Sequence, residues 1–109
     1  MQKGSDLNSV RISGQLFADV HLRYTPKGKA IVSFKLDVSS PGSEGKNKNY
    51  IKTLIPVVAY GEVVENVKEY LKKDTGLMIE GKLQSRSFIT VEGEKKNVLE
   101  VVADKITKI

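Results

Sequence analysis

Apolar and polar side chains alternate along several stretches of the chain, with the period of two that is typical of strands with one buried face. Val32, Phe34, Leu36 and Val38 show this alternation most clearly, with polar side chains between them. The alternation and the short apolar runs together predict five strands, over residues 10–16, 32–38, 51–60, 77–83 and 98–106.

Two residues interrupt the predicted strands. Gly14 lies inside the first, and a glycine within a strand often marks a bulge or a sharp bend of the kind that small barrels need to close. Pro56 lies inside the third, and because proline cannot donate a hydrogen bond to a neighbouring strand, it predicts an edge position or a bulge there.

The segments between strands have the composition of turns and loops. Residues 24–28 (YTPKG) and 92–94 (EGE) contain the residues that tight turns require. Residues 39–49 are polar throughout and rich in turn formers. We expect residues 1–8 and 40–49 to be flexible.

Residues 61–73 change from the period of a strand to that of a helix. Apolar side chains fall at i, i+1, i+4, i+7 and i+8, which places them on one helical face: Val63, Val64, Val67, Tyr70 and Leu71. Glutamates lie early in this segment and lysines late, as the helix dipole favours, and Gly76 follows as a stop signal. The segment therefore predicts one amphipathic helix.

The predicted order is three strands, one helix and two strands. A mainly β fold with a single helix between the third and fourth strands of a five-stranded barrel is the arrangement of the oligonucleotide-binding (OB) fold. An α+β sandwich with the same order of elements is the alternative. The length of 109 residues suits one domain, over residues 1–109.

Composition narrows the class of protein. The chain has no cysteine, which excludes disulfides and thiolate zinc sites. It has no apolar run of about 18 residues and no signal-peptide pattern at its start, so we expect a cytoplasmic protein. The net charge of +5 and the pI of about 9.4 fit either a solvated basic surface or a nucleic-acid footprint.

Catalytic chemistry has little support in the sequence. His21 is the only histidine, and neither a zinc-ligand spacing nor a phosphate-binding loop is present. The acids Asp19, Asp37, Glu80 and Asp104 lie on different predicted elements, with no spacing that predicts a magnesium site. We therefore expect a protein that is not an enzyme and that needs no cofactor or metal.

Five segments resemble the bacterial single-stranded DNA-binding protein family, in the family's order and on the expected elements. They are residues 8–16 (NSVRISGQL), 21–28 (HLRYTPKG), 57–61 (VVAYG), 69–73 (EYLKK) and 79–88 (IEGKLQSRSF). The resemblance covers roughly residues 7–107. It implies sequence-tolerant binding and protection of single-stranded DNA in replication, repair and recombination, by a homo-oligomer with a tetramer favoured and a dimer possible.

The sequence departs from the family in three respects. It has no tryptophan, and Leu54 lies at a position that is aromatic in many members. Pro56 interrupts a strand that carries a basic residue near that point in the family. The sequence ends at Ile109, where family members continue into a flexible acidic tail.

Stacking of unpaired bases requires exposed aromatic rings. The resemblance places Tyr60 and Phe88 at family positions where an aromatic meets a base, and Tyr50 joins them because it ends the polar loop. The remaining aromatic side chains are predicted to pack within the domain: Phe34 and Tyr70 on apolar faces, and Phe17 and Tyr24 beside the first turn.

Phosphate binding requires cations on the outer face or in loops. Arg86 is the strongest candidate, because a guanidinium can pair with phosphate and also stack. Lys82 and Arg86 lie four residues apart and are predicted to share one face. The cationic candidates are Arg11, Lys35, Lys46, Lys48, Lys52, Lys82 and Arg86, together with Lys95 and Lys96 in the last hairpin.

Three other functions remain open at this stage. A primosomal accessory protein would use the same barrel, as a dimer, to bind single-stranded DNA and helicase partners, and the missing tryptophans favour it. A barrel that only binds proteins is the second alternative. An RNA-binding barrel of the cold-shock type is the third, although closely spaced aromatics on adjacent strands are not evident.

Overall fold

Six strands form one sheet that closes on itself, as seen in a computed structural model that describes residues 6–41 and 50–109. The strand order is β1-β5-β6-β4-β3-β2, and an additional pairing of β1 with β3 closes five strands into a ring. The strands are β1 (Val10–Leu16), β2 (Arg23–Tyr24), β3 (Ala30–Pro41), β4 (Tyr50–Tyr60), β5 (Gly76–Ile89) and β6 (Lys95–Lys108).

This closed ring confirms the predicted OB barrel. The five predicted strands correspond to β1, β3, β4, β5 and β6, and the helical segment lies between β4 and β5. The strand β2 has only two residues and was not predicted, since so short a stretch leaves no periodic signal. β3, β5 and β6 extend beyond their predicted bounds.

The ring closes near Gly14, where β1 passes from one neighbour to the other. Residues 10–15 of β1 pair with β5, and at the end of β1 Gln15 and Leu16 pair with Asp37 and Leu36 of β3. A Cβ on Gly14 would overlap the carbonyl oxygen of Asp37. Gly14 therefore permits close approach of two backbones. The irregularity in register lies elsewhere, between Glu80 and Gly81 on β5.

Pro56 lies in β4 before that strand reaches its second neighbour. It is opposite Lys35 of β3, and the pairing of β4 with β6 begins only at Val57. Pro56 thus occupies a place where β4 has an open edge, as the sequence predicted.

The core lies inside the ring and follows the predicted alternation. Val32, Phe34 and Leu36 are buried, and so are Leu77 and Ile79 on the opposite side of the barrel. One end of the barrel is covered by Val64, Val67 and Leu71 from the segment between β4 and β5.

The predicted helix over residues 61–73 is wrong in its extent. The structure has a four-residue helix α1 (Glu62–Glu65) and then a 3₁₀ turn (Lys68–Tyr70), because the backbone bonds change from i→i−4 to i→i−3 after Asn66. The tighter turn alters the phase of the side chains. Leu71 is buried, but Tyr70 is 41% exposed, so the expectation that Tyr70 packs inside is also wrong.

Candidate nucleic-acid interface

A groove crosses the outer face of β3 and β4 beside the far end of the β5–β6 pair. β6 pairs with β4 at Val101 and Val102, whereas β5 and β6 continue to pair with each other out to Ile89 and Lys95. The projecting part, residues 86–98, is here called the distal hairpin. It forms one wall of a groove of about 650 Å³, here called the first groove.

Four of the predicted binding residues line the first groove. Lys35 points outward from β3 opposite Pro56, and Arg86 and Phe88 come from the distal hairpin. Lys96 and Asn97 of β6 line it as well. An exposed ring and three cations thus lie around one groove, although Lys35 is some 50 residues from Arg86 in the chain.

Arg86 is held by a carboxylate that the sequence did not single out. Its Nε donates a hydrogen bond to Oε2 of Glu100 at 3.3 Å, and its Nη2 donates to Oε1, also at 3.3 Å. Gln84 Nε2 donates to the same carboxylate at 3.4 Å. Glu100 is buried, whereas the side chain of Arg86 is half exposed. The carboxylate therefore fixes the guanidinium from below and leaves its outer side accessible.

The fixed guanidinium lies near the proposed stacking residue. The Cζ atom of Arg86 is 5.7 Å from the centroid of the Phe88 ring, and the ring is 43% exposed. Arg86 and Phe88 alternate with Ser87, so both face the same side of the hairpin. They present a planar cation and an aromatic ring together, which is the combination that stacks with unpaired bases.

Lys35 supplies a cation on the floor of the first groove. Its side chain is exposed, and in residues 6–41 and 50–109 it forms no ion pair with a carboxylate. Its charge therefore remains available to a phosphate.

Two further predicted residues lie on β4 outside the first groove. Lys52 Nζ is 3.9 Å from Oδ2 of Asp37 and 5.0 Å from the centroid of the Phe17 ring. Tyr60, at the end of β4, is 39% exposed, and Lys29 Nζ lies 5.5 Å from its ring. Both are accessible on the strand that forms the floor of the groove.

The other predicted residues are not brought to this groove. Arg11 on β1 and Lys82 on β5 are exposed but line neither of the grooves described here. Lys46 and Lys48 lie outside the described residues. Tyr50 pairs through its backbone with Pro41, and its side chain is outside what the structure describes.

A second groove, of about 440 Å³, lies between the loop after β1 and the middle of β3. It is lined by Phe17, His21, Arg23 and neighbouring residues of the loop, together with residues 33–35. The expectation that Phe17 and Tyr24 pack within the domain is wrong, since the two rings are 43% and 52% exposed. Nothing in the local sequence distinguishes an exposed loop aromatic from a packed one.

Neither metal sites nor membrane spans are found in the described part of the chain. No three His, Asp or Glu side chains within it are grouped as metal ligands would be. None of its helices has the length and apolar character needed to cross a membrane.

Comparison with known proteins gives consistent matches over nearly the whole chain. Residues 7–109 match the single-strand binding protein family. Proteins named single-stranded DNA-binding protein are 35% identical in Paenarthrobacter aurescens, 34% in Corynebacterium glutamicum and 37% in Halalkalibacterium halodurans. These matches cover 90%, 90% and 92% of this chain, but only 59%, 45% and 59% of the respective relatives, so the chain spans about half to three fifths of their length.

Proposed function

We propose, because this chain belongs to the single-strand binding protein family, that it is a non-enzymatic module that binds single-stranded DNA with little sequence preference. The observation that carries the proposal is the first groove, which gathers Phe88, Arg86 and Lys35 from distant parts of the chain. The three relatives described above are themselves named for binding single-stranded DNA, which supports the same function.

The chemistry of the first groove suits this ligand. A base that stacks on Phe88 or on the guanidinium of Arg86 gains about 1–3 kcal/mol, whichever base it is. Phosphates that approach Lys35 release bound counterions, so affinity falls as the salt concentration rises. Neither contact reads the edge of a base, which accounts for binding without sequence preference.

The same contacts favour single strands over duplexes. In a duplex each base is stacked between its neighbours, and its faces are not available to a protein ring. An unpaired strand has free base faces and a flexible backbone, which can follow the curved outer surface of the barrel.

The outer residues of the predicted set extend this interface. Lys52 and Tyr60 lie on β4 on either side of Pro56, which lines the groove, so a DNA strand that leaves the groove along β4 would meet one or the other. Arg11, Lys46, Lys48, Tyr50 and Lys82 belong to the same proposal as further candidate contacts to DNA.

The biological role proposed is protection of exposed single strands during DNA replication, repair and recombination in the nucleoid. A homo-oligomer, with four barrels favoured and two as the alternative, would place several grooves along one strand. Linking weak sites in this way raises the effective concentration of each site for the same strand.

A second candidate is a primosomal accessory protein that binds single-stranded DNA and a helicase as a dimer. The absence of tryptophan from the whole chain favours it, since fewer large rings leave the barrel less dependent on stacking. The oligomeric mass in solution separates the two roles, because a tetramer supports protection and a dimer supports the accessory role.

The test of the proposed function is fluorescence anisotropy of labelled oligo-dT with the purified protein at two salt concentrations. Unlabelled duplex DNA and RNA serve as competitors. We expect binding that weakens with salt and that duplex does not compete away. Absence of binding even at low salt would overturn the proposal and leave a barrel that binds other proteins.

A further inference from the structure

We infer that Phe17, in the loop after β1, is a second base-stacking residue and that the DNA path runs from the first groove across β3 to this ring. The inference rests on the proposed function and specifies the extent of its binding surface. It concerns a residue that the sequence gave no reason to assign to DNA.

The backbone at Phe17 is held firmly on the barrel. Its N–H donates a hydrogen bond to the carbonyl oxygen of Lys35 at 3.1 Å, and the preceding Leu16 is bonded through its N–H to Thr75 and through its carbonyl to Asp74. Leu16 itself is buried in the core. The ring of Phe17 is therefore presented from a fixed point, so little conformational freedom is lost when a ligand stacks on it.

The side chain of Phe17 is accessible, and the ammonium of a lysine lies near its ring. It is 43% exposed, the same fraction as Phe88. Lys52 Nζ lies 5.0 Å from its centroid, and the same ammonium is 3.9 Å from Asp37. A base that takes the place of the ammonium on the ring leaves the long lysine side chain free to move to the adjoining phosphate.

The two grooves adjoin each other at β3. Ser33, Phe34 and Lys35 line both of them, with Phe88 on the far side of the first groove and Phe17 in the second. Lys35 thus lies on the route between the two rings. A strand that stacks one base on Phe88 and a later base on Phe17 would carry its phosphates past this lysine.

The charges of the residues that line the second groove are compatible with DNA along this path. Arg23 and Lys35 are cations that line it, and His21 lies beside them. Asp19 is the one acidic side chain among the described residues that line it, and its Oδ1 accepts a hydrogen bond at 2.8 Å from the backbone N–H of Lys73. The balance of charge in the groove favours a polyanion.

The experiment uses tryptophan as a reporter, since the chain contains none. Phe17→Trp and Phe88→Trp each place one indole in a groove, and its fluorescence is quenched when a base stacks on it. Tyr70→Trp is the matched control, because Tyr70 is 41% exposed and has Lys108 Nζ 5.6 Å from its ring but lines neither groove. The ligand is oligo-dT of about 12 nucleotides, within the range of about 4–16 that one OB fold occupies.

We expect oligo-dT to quench Phe17→Trp and Phe88→Trp and to leave Tyr70→Trp unchanged. Quenching of Phe88→Trp without quenching of Phe17→Trp would overturn this inference and leave the proposed function intact. No quenching of either, together with no anisotropy change, would overturn both.

An affinity series separates stacking from packing. Phe17→Ala should weaken binding about 5- to 150-fold, the range that corresponds to one stacked base. Phe17→Leu should weaken it similarly, because leucine keeps the apolar bulk but has no ring. If Phe17→Leu instead restores wild-type affinity, the side chain acts through packing and the inference fails.

Discussion

Arg86 and Glu100 form a two-point ion pair in which the carboxylate is buried and the guanidinium remains half exposed. The pair spans adjacent strands of the β5–β6 hairpin, since Arg86 is opposite Val98 and Glu100 is opposite Gln84. The pair links stability to the proposed binding of DNA, because the side chain that neutralises the buried charge also lines the first groove.

Removing Arg86 should therefore destabilise the protein as well as weaken binding. In Arg86→Ala the carboxylate of Glu100 stays buried and keeps only Gln84 as a side-chain donor. We expect a loss of about 1–2 kcal/mol in the free energy of unfolding, less than the cost of breaking a fully buried pair because Arg86 is half exposed. Urea unfolding measures this loss.

The double variant Arg86→Ala, Glu100→Gln provides the control. It removes the uncompensated charge, so it should recover most of the lost stability while DNA affinity stays low. Recovery of both stability and affinity would show that Arg86 serves only the fold.

Phe88 should contribute to DNA affinity and contribute little to the free energy of unfolding. Phe88→Ala is expected to weaken oligo-dT binding about 5- to 150-fold, since one stacked base is lost. Ile89→Ala is the matched control, because Ile89 is the next residue, exposed, and on the opposite face of the hairpin. Anisotropy titrations compare the two, and equal losses would contradict a stacking role.

Lys35 should contribute to DNA affinity only through contact with a phosphate. Lys35→Ala is expected to reduce the slope of log affinity against log salt by about 0.7, the value for one phosphate contact on a single strand. Lys105→Ala removes an exposed charge on β6 that lines neither groove, so its slope should equal that of the wild type. A change in affinity without a change in slope would exclude a phosphate contact for Lys35.

Closure of the barrel should depend on Gly14. Gly14→Ala places a Cβ against the backbone carbonyl of Asp37, which cannot move aside as a flexible side chain does. We expect a loss of about 1–3 kcal/mol in the free energy of unfolding. Ser13→Ala, at the exposed neighbouring position, should change it by less than about 0.5 kcal/mol. Thermal or urea unfolding tests both, and a neutral Gly14→Ala would mean that β1 and β3 can separate at this point.

The sequence by itself determined five of the six strands in the described residues and most of the core. Alternation at Val32, Phe34 and Leu36 is sufficient, because successive side chains of any strand point to opposite faces. Pro56 predicted an open edge for a similarly local reason, the missing N–H donor. The helix over residues 61–73 was wrong in its extent, since a short helix depends on its packing for stability more than on local preference.

Only the tertiary structure decided which residues form the groove. Lys35 lines the same groove as Arg86 and Phe88 because the strands close into a barrel, which places the distal hairpin beside β3 and β4. No spacing in the sequence indicates that these residues lie close together. The same holds for the pairing of Glu100 with Arg86, which depends on the register of two strands, and for the exposure of Phe17, which depends on where its loop meets β3. Periodicity reports the direction of each side chain from its own strand, whereas contacts between distant segments arise only when the whole barrel is packed.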